Sequence, residues 1–481
     1  MGRSRRADQQ HIGGGRGRPT GCRMIGLATG AALFLAALLA SPRVVVIWVL
    51  AISSLCLPMM NIRLGPLTVE PLFLAAAVFG MRATGVLPSP RGRIATLARL
   101  RAATDAPRSR GASDVRTFYV LVVVLLVYVL IDLLVSSAAI GALSNVFRLV
   151  AGVMLAGFVT ARALVTGLVT GQDLRNSWTT LTLVAVALAS VEWLSGSFIF
   201  GPETGLFHEA ARNGGLRSQA FFPHPIIFGL FCAVGLLWWL YTATSVRTCW
   251  YIVLPLAWGL WISGSRGPIL ALVLAVLVVF LSTRFTSRTG RRFVLLLAML
   301  GAFFAIMVSL DGTDYVGGID ETETSTQYRF ALLNVGSAEL LANPFGHGPG
   351  RLPQGLLMVD SRFGVIDLSP SVDNAYLLFG LQYGLPALIL AALICLKVLS
   401  RGIREVGRDE SRAPLAMWVF LLVSGSTVSL LSWPPVALLL GQVAAMVLTL
   451  GRLPREEPEV VTPSPQAEGE PTGRHRIGRR G

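Results

Sequence analysis

Apolar residues run through this chain in long uninterrupted stretches, and those stretches set the first reading. From the Arg-rich segment Arg82–Arg116 onward there are ten. They are Phe118–Ser136, Leu143–Ala161, Trp178–Leu194, Pro223–Thr242, Cys249–Gly264, Pro268–Thr283, Arg292–Leu310, Asn374–Val398, Pro414–Leu431 and Pro435–Leu450. A bilayer crossing takes roughly 20 residues at 1.5 Å rise per residue, so each run is close to one transmembrane helix. Ahead of them lie Met24–Ser41, Val44–Leu57 and Leu64–Met81. Three crossings there would leave the basic N-terminus outside. Two, with the run around Pro42 and Pro58 entering only partway, would keep it inside. The expectation is an all-α, polytopic transmembrane protein of about twelve spans, with both termini cytoplasmic.

Charge supports that threading. With Arg82–Arg116 inside, the inner connections hold Arg162 and Arg175, then Arg247, then Arg284 to Arg292, then Lys397 to Arg412, and finally the tail from Arg452. The outer connections are Ser137–Ala142, Ser195–Phe222, Ser265–Gly267, Asp311–Asp373 and Ser432–Pro434. Asp311–Asp373, the expected large extracytoplasmic loop, carries nine acids against Arg329, Arg351 and Arg362. Basic residues on one side and few on the other is the pattern that orients helices in a bacterial inner membrane. Residues 24–451 form the expected membrane domain, and 1–23 and 452–481 are polar, Pro/Gly/Arg-rich ends expected to be disordered in the cytoplasm. The first apolar run follows Arg3, Arg5, Arg6, Arg16, Arg18 and Arg23 as a signal peptide would, but it lacks a small-x-small cleavage site and is expected to stay as an anchor.

Composition narrows the function. The chain has 481 residues, 53% hydrophobic and 14% charged, and a net charge of +15. That charge does not imply nucleic acid, because Lys397 is the only lysine and the arginines sit in short connections between apolar runs. The near replacement of Lys by Arg fits a GC-rich bacterial genome. The five cysteines fall in or beside apolar runs, so neither a disulfide framework nor a metal-type spacing is implied.

Ionisable residues inside apolar runs are costly and mark candidate sites. Glu70, Asp132, Arg148 and Glu192 are such residues, each within one to two turns of the outer end of its run. Arg148 would pair with Glu192 or Asp132 as a structural tie, or face a polar cavity as a substrate contact. Arg217 and Arg266 lie in outer connections, where the topology rule disfavours arginine. Several guanidinium groups on one side suit a diphosphate at the outer leaflet, because their fork of donors grips phosphate bidentately.

The same residues carry a family resemblance. Gly215-Leu216-Arg217-Ser218-Gln219-Ala220-Phe221-Phe222-Pro223-His224-Pro225 is followed by Ser263-Gly264-Ser265-Arg266-Gly267, then by Tyr328-Arg329 and Asn343-Pro344-Phe345-Gly346-His347-Gly348-Pro349-Gly350, and finally by Asp373-Asn374-Ala375-Tyr376-Leu377 and Gln382-Tyr383-Gly384-Leu385. This ordered set, spanning roughly Leu216 to Leu385, resembles the bacterial O-antigen ligase and O-antigen polymerase superfamily. The resemblance implies a metal-independent, inverting glycosyltransferase without a cofactor, acting outside the cytoplasmic membrane. Its donor would be a glycan on undecaprenyl diphosphate; its acceptor a growing glycan, a lipid or a protein. A flippase and a chain-length regulator would be its partners, alongside membrane lipids. Arg217 and Arg266 would bind the donor diphosphate, with Arg329 facing it.

One position departs from that pattern. Ligases of the superfamily commonly carry His where Asp373 stands, which favours a polymerase. Asp373 is the expected base for the acceptor hydroxyl, or else a cap for the helix starting at Asn374. His347 lies between glycines in a loop, and His224 between two prolines at a span entrance. Both are candidate substrate contacts, with backbone geometry as the bland alternative. The segment Tyr328–Leu341 is expected to lie on the membrane surface with Phe330, Leu333, Ala338 and Leu341 facing down. A transporter of lipid-linked sugar is the rival class, though transporters favour internal repeats and midplane sites, which this chain does not show.

Overall fold

The computed structural model describes residues 20–55, 62–64, 67–83, 112–135, 141–199, 211–212, 215–243, 245–284, 321–350, 352–361 and 364–449. The expected span Arg292–Leu310, residues 1–19 and 452–481 of the polar ends, and Arg351 lie outside them, while Thr20–Arg23 open the first helix.

Thirteen helices are described. They are α1 Thr20–Leu39, α2 Pro42–Ser54, α3 Pro71–Ala83, α4 Ala112–Val135, α5 (141–165), α6 Gly171–Ser195, α7 Pro225–Thr242, α8 Val246–Ile262, α9 Arg266–Arg284, α10 Glu321–Ala342, α11 Ala375–Glu405, α12 Asp409–Ser424 and α13 Pro434–Thr449. Three short antiparallel hairpins join them: β1 Ile62–Leu64 with β2 Leu67–Val69, β3 Ala211–Arg212 with β4 Gly215–Leu216, and β5 Met358–Ser361 with β6 Gly364–Asp367. Five helical stretches are long and apolar enough to cross a membrane: Asn145–Val165, Gly171–Ser195, Pro225–Thr242, Arg266–Arg284 and Ala375–Glu405. Shorter apolar helices cover Pro42–Ser54, Val120–Val135, Cys249–Ile262 and Pro434–Thr449.

Local chemistry sets the helix ends. The Thr170 side chain accepts from the Asp173 amide and Asp173 answers to the Thr170 amide, closing a capping box at the start of α6; Gly196 ends that helix in the left-handed region at φ 65°. In α7, Pro225 takes the first position, where a missing N–H costs nothing.

Helices α7, α12 and α13 form the middle of the bundle, their apolar residues buried on nearly every side. Helix α4, in contrast, turns Val120, Val123, Val127, Ile131 and Leu134 outward, and α9 does so with Val273, Leu277 and Phe280. Outward apolar faces on long helices fit a hydrocarbon surround. Helix α5 presses against α13 through small residues: a Cβ on Gly157 would lie 3.0 Å from the Gly441 carbonyl, and one on Gly441 2.4 Å from the Val153 carbonyl. Between Arg148 and Leu155, α5 is π-helical.

Two polar clusters mark the two ends of the bundle. At one, Arg43 meets Asp173 at 2.8 Å, and Arg175 bonds Thr242 and covers the Trp239 ring. At the other gather Glu70, Arg148, Arg217, the turn 263–266 and Trp433. Helix α2 is held within the bundle: Val45, Val46, Ile47 and Leu50 are buried in the main core, and Arg43 at its start meets Asp173. Helix α1, about 30 Å long at 1.5 Å per residue, ends beside Pro42 and touches β1, so Thr20 lies toward the Glu70 end.

Part of the acidic connection before α11 has a small core of its own. Leu332, Leu340, Leu352, Leu357, Leu368, Val372, Leu377 and Leu381 pack α10 and the β5–β6 hairpin onto the first turns of α11. The buried stripe of α10 is thus Leu332, Gly336 and Leu340. Of the set expected to face the membrane, Phe330, Ala338 and Leu341 are exposed and Leu333 half-buried, on a face other than the one that packs onto α11.

Candidate functional site

The site is built where four connections meet at the Glu70 end. The first is the segment from β4 into α7. Ser218 N–H bonds the Ile262 carbonyl, and Ala220 is fully buried with φ 52°, a left-handed conformation that a residue with a Cβ adopts at a cost of about 1–2 kcal/mol. Something must hold it there, and Glu192 does. Its carboxylate is fully buried near the end of α6 and accepts from three backbone amides: Gln219 at 3.0 Å, Ala220 at 2.9 Å and Ile199 at 3.2 Å.

The second connection is the tight turn Ser263–Gly264–Ser265 between α8 and α9. Arg217 lies across it, its Nε donating to the Ser263 carbonyl and its terminal nitrogen to the Ser265 hydroxyl, both at 3.2 Å. Gly264, at φ 60°, makes room, since a Cβ there would sit 3.2 Å from the Arg217 side chain. Arg266 opens α9 immediately afterwards and is exposed. The structure therefore brings Arg217 and the Arg266 turn together.

The third connection is the turn between α12 and α13. Thr427 lies under Gly267, the Gly425 carbonyl accepts from Ala375, and the Tyr376 hydroxyl donates to the Leu422 carbonyl. His224 caps α7, its Nδ1 accepting from the Ile226 amide at 3.1 Å, and its ring faces Trp433 at 6.0 Å. In that arrangement Nε2 is the nitrogen that carries a proton when the ring is neutral.

The fourth is the motif 343–350 against α11. Gly346 and Gly384 have φ of 80° and 82°, and a Cβ on either would collide with the other strand of backbone at 2.5–2.6 Å. Leu385 N–H bonds the Pro344 carbonyl at 2.7 Å, His347 N–H bonds the Leu381 carbonyl at 2.9 Å, and the Gln382 amide reaches Gly350. The His347 ring is tied at Nε2 to Glu339, 2.9 Å away. Asp373 is exposed beside these elements. The cap of α11 is Asn374, whose side chain accepts from Tyr376 and Leu377, so Asp373 is not the capping residue. Arg329 sits half-buried on α10.

Arg148 has a partner other than the two expected. Its Nε donates to Glu70 at 2.7 Å, a terminal nitrogen bonds the same carboxylate, and the other reaches the Ser432 carbonyl at 3.2 Å. Glu192 is engaged with amides instead, and Asp132 lies on α4. Glu70 stands before α3, nearly eighty positions from Arg148 in sequence, which is why spacing alone does not pair them.

Below the loop, Asp367 accepts from Gly355 N–H at 2.7 Å and Ser369 N–H at 2.9 Å. Its bonds to Ser369 and Gly355 hold its carboxyl below the usual carboxylate range. Among the described residues no three His, Cys, Asp or Glu side chains come together as metal ligands.

No curated protein matches the chain. Residues 251–392, from α8 to the middle of α11, match the family model described as O-antigen ligase, and this stretch holds the Arg266 turn, Arg329, the 343–350 motif and Asp373. The match supports placing this chain in the O-antigen ligase and polymerase superfamily.

Proposed function

We propose that this chain is a membrane glycosyltransferase that extends undecaprenyl-diphosphate-linked repeat units on the outer face of the bacterial cytoplasmic membrane, within a bundle of about twelve crossings. The observation that carries the reading is Arg217 laid over the Ser263–Ser265 turn next to Arg266. Two guanidinium groups on neighbouring backbone suit a diphosphate, whose charge grows as the glycosyl bond breaks.

In this reading Arg217, Arg266 and Arg329 bind the diphosphate. The acceptor hydroxyl attacks the anomeric carbon from the opposite side. The C–O bond to phosphate breaks, undecaprenyl diphosphate leaves, and the hydroxyl proton passes to Asp373. His224 and His347 line the sugar path. Flippase-delivered donor and a chain-length regulator are the natural partners. The described family match favours a second reading, transfer of finished glycan to a lipid or protein. Asp373 in place of the ligase-type His favours polymerisation.

One experiment tests both. Purified protein in liposomes, given undecaprenyl-diphosphate repeat units and EDTA, should build longer lipid-linked chains with no nucleotide sugar. Unchanged donor length until a separate acceptor is added would make it a ligase. Movement of intact donor across the liposome, with no product, would make it a transporter.

A further inference from the structure

The carboxylate of Glu192 has no place in the chemistry proposed above, yet it is fully buried at the end of α6 and spends both oxygens on backbone amides. Two of those amides, Gln219 and Ala220, follow Arg217 by two and three residues. We propose that Glu192 is a positioning residue for Arg217: it fixes the left-handed turn at Ala220 and so sets the angle at which the guanidinium crosses the Gly264 turn.

The geometry supports this in three ways. Ala220 is held at φ 52°, a conformation its Cβ disfavours, and the Glu192 oxygen meets its amide there at 2.9 Å. The carboxylate accepts through both oxygens, so its orientation is set as well as its reach. Arg217 is then aimed from this segment onto Ser263 and Ser265, and a turn of the backbone at 219–220 would carry it away from both.

The inference rests on Arg217 being a diphosphate ligand, and its sign separates it from simpler roles. An anionic side chain close to a phosphate site repels the ligand by charge alone, so removing that charge would tighten binding. A positioning role predicts the reverse.

The test is binding of undecaprenyl diphosphate to the full-length protein in detergent, with the melting temperature of each variant measured alongside. Glu192→Gln keeps the shape but cannot accept through both ends, and should weaken binding about tenfold. Glu192→Asp keeps the charge and loses reach, and should weaken it also. In an Arg217→Ala background neither substitution should change the residual binding. Unchanged or tighter binding by both variants would overturn the proposal, as would a loss of the same size with Arg217 absent. If Glu192→Gln does not fold, Glu192→Asp alone decides between the outcomes. Undiminished binding by Arg217→Ala would instead overturn the diphosphate reading itself.

Discussion

Arg148 closes on Glu70 with two of its nitrogens at one carboxylate oxygen, and its third reaches the Ser432 carbonyl. This joins α5, the start of α3 and the turn before α13 in a single polar tie, where Glu70 is almost fully buried. Arg148→Ala would leave that carboxylate unpaired in an apolar surround and should cost about 3–5 kcal/mol. The double variant Arg148→Met with Glu70→Gln should recover much of the loss, and melting in detergent would measure both. Equal melting points for Arg148→Ala and the wild type would show that the pair does not hold the bundle.

Arg217→Ala and Arg266→Ala should each lower chain extension by about 100-fold while membrane insertion is unchanged, since preorganised positive charge supplies a comparable part of such barriers. Arg→Lys should be nearly as poor, because an ammonium cannot reproduce the two-pronged grip. Glycan lengths on a gel would report both. Normal lengths from Arg266→Ala would reduce that residue to an anchor at the membrane surface.

Gly384→Ala should detach the 343–350 motif. The added Cβ would lie 2.5 Å from the Phe345 backbone and the residue would be strained at φ 82°, so about 2 kcal/mol or more should be lost. Faster proteolysis around Asn343–Gly350 with intact α11 is the expected signature. Unchanged cleavage would mean the motif is held by other contacts.

The orientation is open to direct labelling. Cysteine at Ser361, in a cysteine-free background, should react with an impermeant reagent in intact cells once any outer barrier is opened. Because α1 places Thr20 toward the Glu70 end, cysteine there should label alongside it. Labelling of Thr20 only after lysis would mean an even number of crossings before Arg82, with the N-terminus cytoplasmic.

The helices were largely legible because apolar runs follow from composition alone. Trp178–Leu194 lies within α6, and Pro223–Thr242 differs from α7 by two residues at one end. The nearness of Arg217 to the turn that carries Arg266 was hinted at where charge stood against topology. The partners were not. Glu192 marks itself as a costly charge in an apolar run, but its partners are backbone amides, which leave no trace in residue identity. The stripe of α10 that packs onto α11, Leu332 and Leu340, was not legible for a related reason: only tertiary structure says which apolar residues of a helix meet protein.

The interlock of Gly346 with Gly384 also bears on biogenesis. During synthesis the 343–350 segment emerges well before its counterpart, and it has nothing to close upon until α11 has been made as far as Leu385. The 343–350 loop is therefore among the last parts of this region to be finished. A chain stalled before Leu385 would already carry the arginine turn, with the 343–350 segment made but not yet closed.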